Sequence, residues 1–327
     1  MERFIYGKWV KHSMQALHVF AAAPNTKTGY DRIWIRDNIY ALFGFETRGD
    51  FETSLKTVHA LLDIHKKHSY KIDWMIKQPA PKDGYRYVHP RYDEHGNELP
   101  EPWGWKQNDA TGALLWKIGD LDKKGKFTWR TGDKEIVQKL VDYLQAIEYW
   151  HDADNGMWEE AEEVHASSVG ACLAGLLAVD HLVHVPLHLI AHGEHALRSL
   201  LPRESITKET DLALLSLIWP FNIVTPQEKE TILKNVEELV REKGVIRYEG
   251  DLYYSNGNEA EWTMGFPWLA IIYKQLGETN KYYFYLNKAK NAMNAKGELP
   301  ELYFGGTSEH NDNTPLMWAM SLLETAR

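Results

Sequence analysis

Strict alternation of apolar and polar positions is almost absent from this chain, while apolar residues recur every three to four positions in one stretch after another. That period belongs to helices that bury one face. Twelve such stretches can be marked, near 4–22, 31–47, 51–67, 107–121, 133–150, 163–182, 186–201, 209–218, 226–243, 259–277, 279–296 and 313–326. They are of two kinds. DKEIVQKLVDYLQAIEYW and PQEKETILKNVEELVREKG, in the fifth and ninth stretches, are charged and one-sided, as helices with a face in water must be. HASSVGACLAGLLAVD, TDLALLSLIWP, EWTMGFPWLAIIY and TPLMWAMSLLETA, in the sixth, eighth, tenth and twelfth, are apolar nearly all round and belong to helices enclosed by protein. Exposed and buried helices in alternation predict an all-α fold, an inner ring of six helices surrounded by an outer ring of six. An irregular bundle or a superhelical repeat would also be helical throughout, but no fixed period supports a repeat array.

No Pro/Gly/Ser-rich linker divides the chain, which reads as a single domain over 1–327. The one long irregular region, 68–106, is rich in aromatics and too long for a passive connector. If consecutive helices run antiparallel, the segments entering the even-numbered helices open on one face. Those segments are GYDRIWIRDN, PWGWKQND, GMWEEAEE, IRYEGDLYYSNGN and GELPELYFGG; the connections at the other face, ETRGDF, LVHVPL and KQLGETN, are short and plain. This asymmetry predicts one site at one mouth.

Composition narrows the class of site. The 327 residues are 44% apolar with a formal net charge of -9, so a sizeable core is available and the basic stripe that nucleic acid requires is missing. No apolar run approaches the roughly 20 residues of a membrane span, and MERFIYGKWVKHS lacks the apolar core of a signal peptide; a cytoplasmic location is the default. The single cysteine, Cys172, lies in a small-residue apolar run and reads as a packing residue. The chain holds 13 Trp and 17 Tyr, many beside Asp, Glu, Arg, Gln and Asn, the pairing of flat apolar surface with polar groups that sugar sites use. There is no HExxH, no paired Cys and no GxSxG. The 15 His are scattered, with His165, His184 and His188 read as surface or core residues. Neither metal nor cofactor is expected. What remains is chemistry with two carboxylic acids flanking an acetal.

One stretch bears on that directly. GMWEEAEEVHASS sets Glu159, Glu160, Glu162 and Glu163 close together with no cation between them. Acidic residues at a helix start complement its dipole, and a carboxylate pair beside an aromatic wall suits acid/base work; the stretch alone leaves both open.

The motifs IWIRDNIYALFGF, WGWKQNDATGALL, GMWEEAEEVHASSVGACLAGL, SLLPRESITKETDLALLSL, IRYEGDLYY with EAEWTMGFPW, and GELPELYFGG with TPLMWAMSLL, taken in order, resemble the family 15 glycoside hydrolases, the glucoamylases. They resemble still more closely the glucoamylase-like domain of phosphorylase kinase alpha and beta subunits. The resemblance runs from about residue 10 onward and implies an (α/α)6 barrel, without the β-sandwich that precedes the barrel in many prokaryotic members. It implies an inverting, exo-acting hydrolase that releases glucose from the non-reducing end of α-glucosides. Residue by residue, it makes Glu159 the general acid and Glu301 the general base. Arg36 and Asp37 match the pair that grips the terminal glucose, and Trp34 lines the same subsite. Tyr30 matches a tyrosine near the nucleophilic water, and Trp103 an aromatic platform whose motif Gln107 and Asp109 complete. Arg247 matches an arginine that reaches the substrate, and Glu160 a carboxylate on the leaving-group side. An apolar wall from Trp158 and the like charge of Glu160 would favour a protonated Glu159; Glu162 and Glu163 then stay as first-turn charges of the following helix. The kinase-subunit likeness keeps a second reading open, sugar recognition without turnover. Trp158, Trp262 and Trp268 could serve the core, Glu301 could close its own loop, and Arg36 with Asp37 could be a structural ion pair.

Overall fold

The computed structural model describes residues 18–101 and 103–327. Its helices in chain order are α1 (Ile35–Thr47), α2 (Phe51–Lys67), α3 (Ser69–Lys77), α4 (Asn108–Lys123), α5 (Asp133–Ala146), α6 (Ala166–Val179), α7 (Leu187–Leu200), α8 (Leu215–Ile218), α9 (Pro226–Glu238), α10 (Gly265–Gln275), α11 (Thr279–Asn291) and α12 (Met317–Ala326). Two short antiparallel pairs join them: β1 (Ile33–Trp34) with β2 (Arg91–Tyr92), and β3 (Glu261–Trp262) with β4 (Leu302–Tyr303).

The two helix characters sort as their composition requires. Every residue of α6 except Leu177 is buried, whereas in α9 only Ile232, Leu233 and Val236 are, one stripe on an otherwise charged helix. Helix α9 begins with Thr225 accepting from the Glu228 amide while Glu228 accepts from the Thr225 amide at 2.8 Å, and Pro226 follows at the first helical position; this start needs no tertiary support. In the inner ring α1 packs on α4, α4 on α6, α6 on α8, α8 on α10, α10 on α12, and α12 closes on α1. Helices α2, α5, α7, α9 and α11 lie outside it. The fold is an (α/α)6 barrel. Helices α4 and α6 approach so closely that a Cβ on Gly112 would overlap the Ala171 and Cys172 backbone, and one on Gly175 the Gly112 carbonyl.

Four details depart from the sequence reading. Of the stretch 4–22, residues 4–17 lie outside the described residues, and 18–22 form no helix; Ala22 instead accepts from the Met317 amide at 2.9 Å, tying this entry segment to α12. The stretches at 31 and 259 begin as β1 and β3, and their helices start only at Ile35 and Gly265. The stretch 209–218 reduces to a 3-10 turn, Leu212–Leu214, followed by α8, because Asp211 is extended and its side chain accepts from the Ala213 amide, so the turn starts only there. The irregular region contains α3, whose buried Lys71, Ile72 and Met75 are too few to show a helical period in sequence. Among the described residues, no helix is long and apolar enough to cross a membrane.

Polarity around the ring sets where the site lies. The ends of α1, α4, α8, α10 and α12 that carry Phe43, Trp116, Ile218, Ile272 and Thr325 surround one depression, of about 660 Å³. The segments that enter the inner helices surround another, at the opposite end.

Candidate active site

The second cavity measures about 380 Å³. Its aromatic walls are Tyr30, Trp34, Trp103, Trp158, Tyr253, Trp262 and Trp318, and its polar groups are Arg36, Asp37, Glu159, Glu160, Arg247 and Glu301. A small cavity with apolar faces and a few convergent polar groups is the usual form of a small-molecule site. Ten of the twelve residues singled out from the sequence line it. Gln107 and Asp109 do not: they are buried behind Arg36, which Gln107 meets at 3.1 Å and Asp109 at 2.9 Å.

Glu159 sits at the tip of a loop closed at its base by reciprocal backbone bonds between Asp154 and Glu163, at 2.8 and 2.9 Å. Its φ of 64° is unusual for a residue with a side chain and carries a strain on the order of 1 kcal/mol or more. Its carboxylate accepts from Trp34 Nε1 at 2.7 Å and from Trp103 Nε1, and lies 3.3 Å from Arg36 Nη2. Trp34 is placed by the pairing of β1 with β2, which also brings the Arg91 guanidinium over the Trp103 ring at 4.0 Å.

Glu301 lies just before β4 and is 1% exposed. Its Oε1 accepts from Tyr30 Oη at 2.6 Å, and its Oε2 from Asn313 at 2.7 Å and from Asn311. Burial pushes its carboxyl above the ordinary range, against the pull of those three donors and of Arg247. Asp37 stands between the two glutamates electrostatically. Burial raises it, Arg36 opposes, and the charges of Glu159 and Glu301 add to the rise, to about 7. Arg36 stays charged: burial works against it, and Asp109, Glu159 and Asp37 outweigh burial.

Glu160 does not act as the like-charged neighbour expected for Glu159. Its carboxylate turns to Arg247 Nη2 at 2.8 Å, Lys208 Nζ at 2.5 Å and Tyr248 Oη at 2.8 Å. Burial opposes ionisation there, and Arg247 and Lys208 more than compensate, holding Glu160 below the usual range. Arg247 is itself gripped by Asp251 at 2.6 Å and lies over the rings of Tyr253 and Trp262, 4.9 Å from each. Trp158 donates to Asp211 at 2.7 Å, so its ring is fixed as a wall.

Other roles separate here. Trp262 lines the cavity, whereas Trp268 is fully buried and donates to the Trp219 carbonyl at 2.8 Å. Glu162 and Glu163 are not first-turn charges, because α6 starts only at Ala166: Glu162 pairs with Lys106 at 3.2 Å and Glu163 accepts from Thr207. His165 is a buried residue paired with Glu204 at 3.4 Å. Cys172 is buried against the Asn108 carbonyl. Among the described residues, no group of three or more His, Cys, Asp or Glu side chains could hold a metal ion. The sequence reading did not single out Tyr253, Trp318, Asn311 or Asn313; the first two lie in quoted motifs, IRYEGDLYY and TPLMWAMSLL, and the two asparagines carry no signal before Glu301 is located.

The family model for glycosyl hydrolases family 15 matches residues 17–211. This chain belongs to that family. Among its curated relatives is the phosphorylase b kinase regulatory subunit alpha, skeletal muscle isoform, of Oryctolagus cuniculus, 26% identical across 83% of this chain and 27% of the relative; the chain spans about a quarter of that subunit's length. The isomaltose glucohydrolase of Kribbella flavida is 24% identical across 92% of this chain and 85% of the relative. Among solved structures, a glycosidase variant in complex with glucose has a TM-score of 0.82 at 20% identity, covering 98% of this chain and 93% of that one. The glucoamylase from Saccharomycopsis fibuligera has a TM-score of 0.66 at 15% identity, covering 96% and 89%. At these identities the structural likeness bears on the fold, which in this family 15 chain is the barrel described above.

Proposed function

We propose that the protein hydrolyses α-glucosides from their non-reducing end with inversion, Glu159 as general acid and Glu301 as general base. The observation that carries this reading is that Glu159 and Glu301 share one small cavity with Arg36 and Asp37 at its polar wall. Arg36 offers donors and Asp37 acceptors, the complement that vicinal sugar hydroxyls need. In the reaction, water bound at Glu301 attacks the anomeric carbon as Glu301 takes its proton. The glycosidic bond breaks, and Glu159 gives its proton to the leaving oxygen. Tyr30, bonded to Glu301, holds the base in place. Trp34, Trp103, Trp158 and Arg247 bound the substrate, Glu160 faces the leaving-group side, and Gln107 and Asp109 act through Arg36. The likeness to isomaltose glucohydrolase adds isomaltose to the candidate substrates, beside maltose, trehalose and short maltooligosaccharides.

The test is to incubate the protein with each sugar and follow the product by proton NMR. β-Glucose appearing first, and lost in Glu159→Gln and Glu301→Gln, is the expected result; no glucose from any of them, or α-glucose first, overturns it. The likeness to the kinase regulatory subunit favours a second reading, sugar binding without turnover. Saturable binding by calorimetry with no product would establish that reading instead.

A further inference from the structure

The cavity wall around Glu159 comes from two separate segments, residues 103–107 and the loop 154–163. The first carries Trp103, which donates to Glu159, and Gln107, which accepts from Arg36. The second carries Glu159 itself. Asn155 binds both. Toward the first segment, its backbone amide donates to the Lys106 carbonyl at 2.7 Å, and its side-chain oxygen accepts from the Lys106 amide at 3.0 Å. Toward Glu159, its carbonyl accepts from the Glu160 amide at 2.9 Å, and its side-chain amide donates to the Glu160 carbonyl at 2.6 Å.

The second pair of bonds closes the turn from Asn155 to Glu160 from both sides. Glu159 is held inside that turn with its φ of 64°, a conformation that persists only where the surroundings over-determine it. The first pair sets the distance between this turn and Trp103. The fit is close, since a Cβ on Gly104 would come within 3.0 Å of Asn155. Both polar atoms of the Asn155 side chain bond to backbone, one on each side of the contact between the Glu159 carboxyl and the Trp103 indole.

We infer that Asn155 is the positioning residue for the general acid, setting the aim of Glu159 through the closed turn and the Lys106 segment. This rests on the reading of Glu159 as the acid. Asn155 does not line the cavity, so its effect falls on the step in which Glu159 delivers a proton. That step matters when the leaving group is a sugar hydroxyl, which cannot depart unprotonated, and matters little when the leaving group is fluoride. α-Glucosyl fluoride, in which water replaces fluoride at the anomeric carbon to give glucose and hydrogen fluoride, still needs Glu301 and the glucose subsite.

The experiment compares isomaltose, or whichever disaccharide the unsubstituted protein cleaves best, with α-glucosyl fluoride in Asn155→Ala and Asn155→Asp. The Asp variant keeps the oxygen that accepts from Lys106 and removes the donor to Glu160, so it serves if the Ala variant does not fold. For the disaccharide we expect kcat to fall about a hundredfold, the scale of a small misplacement of a catalytic group, with KM within about twofold because ground-state binding is untouched. For the fluoride the expected fall is within about threefold, the same selective pattern as Glu159→Gln. Equal losses on both substrates, or no loss on either, overturn the inference while leaving the activity standing. Failure of the unsubstituted protein on both substrates overturns the activity and the inference with it.

Discussion

Tyr30 donates to Glu301 across 2.6 Å although the two are 271 positions apart in the chain. The same hydroxyl meets Tyr253 Oη at 2.9 Å, so the Glu301 carboxyl, the proposed base, is flanked by a pair of phenols on the cavity side and by Asn311 and Asn313 on the other. Each donor favours the ionised form of a carboxyl that burial pushes up. A base works only when ionised, so activity declines as pH falls through its pKa. Tyr30→Phe removes one donor and should therefore move the acid limb of kcat/KM to higher pH. The maximum should fall about tenfold to a hundredfold, the value of one hydrogen bond to a charged group. A pH profile with an unmoved acid limb would argue against Glu301 as the base.

Arg36 and Asp109 form an ion pair at 2.9 Å with side chains only 4% and 3% exposed. Removing one member of such a pair leaves a buried charge short of compensation, here with Glu159 at 3.3 Å and Gln107 at 3.1 Å as the contacts left to Arg36. Asp109→Ala is expected to destabilise the fold by about 3–5 kcal/mol, read from urea unfolding, and to raise KM because Arg36 loses its anchor. The double variant Arg36→Met with Asp109→Leu should regain part of the stability and none of the activity.

His165 gives stability a pH dependence away from the chemistry. Burial lowers its pKa, but the Glu204 hydrogen bond and the charges of Asp154 and Glu204 win, and it is raised to about 9. A raised histidine stabilises fully below its unfolded value of about 6.5, and that contribution disappears as pH rises through about 9. The unfolding midpoint in urea should decline across this window. In His165→Gln the decline between those pH values should be shallower, and an identical slope would show that the His165 pair does not contribute to it.

The contact of α4 with α6 makes a prediction about the barrel alone. A methyl group at Gly112 meets backbone atoms of Ala171 and Cys172, which cannot rotate away as a side chain would. Although alanine is the better helix former, Gly112→Ala should lose about 1–3 kcal/mol through overpacking. A Tm equal to or above that of the unsubstituted protein would contradict this.

The inner helices were legible because burial on all sides leaves no polar face, a signal that α6 and α12 carry in nearly every residue. Short strands were not: the β1–β2 and β3–β4 pairs are too brief for a period and exist through partners distant in sequence. Residues that line the cavity were legible where a motif carried them, as Glu159, Arg36 and Glu301 did. Their direction was not. Nothing in WEE says that Glu160 turns away to Lys208 and Arg247, since Lys208 reaches it from a different loop. Gln107 and Asp109 were found by motif, and the structure places them behind Arg36 rather than on the cavity. Asn155 was invisible for a plainer reason, because an asparagine in a loop has the same appearance whether its amide meets water or two backbones.

Closure of α12 onto α1 also orders events in time. Ala22 meets Met317, Thr28 meets Asn313 at 2.6 Å, and Gly44 meets Ser321 at 2.9 Å, so the first and last parts of the ring are stitched by contacts of nearly maximal chain separation. Such contacts form late in folding, after the greatest loss of chain entropy. During synthesis, Glu159 and its tryptophans can assemble while α12 is still inside the ribosome, but the surroundings of Glu301 cannot. A chain that has emerged only through the Glu159 loop therefore has that carboxylate beside its tryptophans but none of the asparagines that hold Glu301.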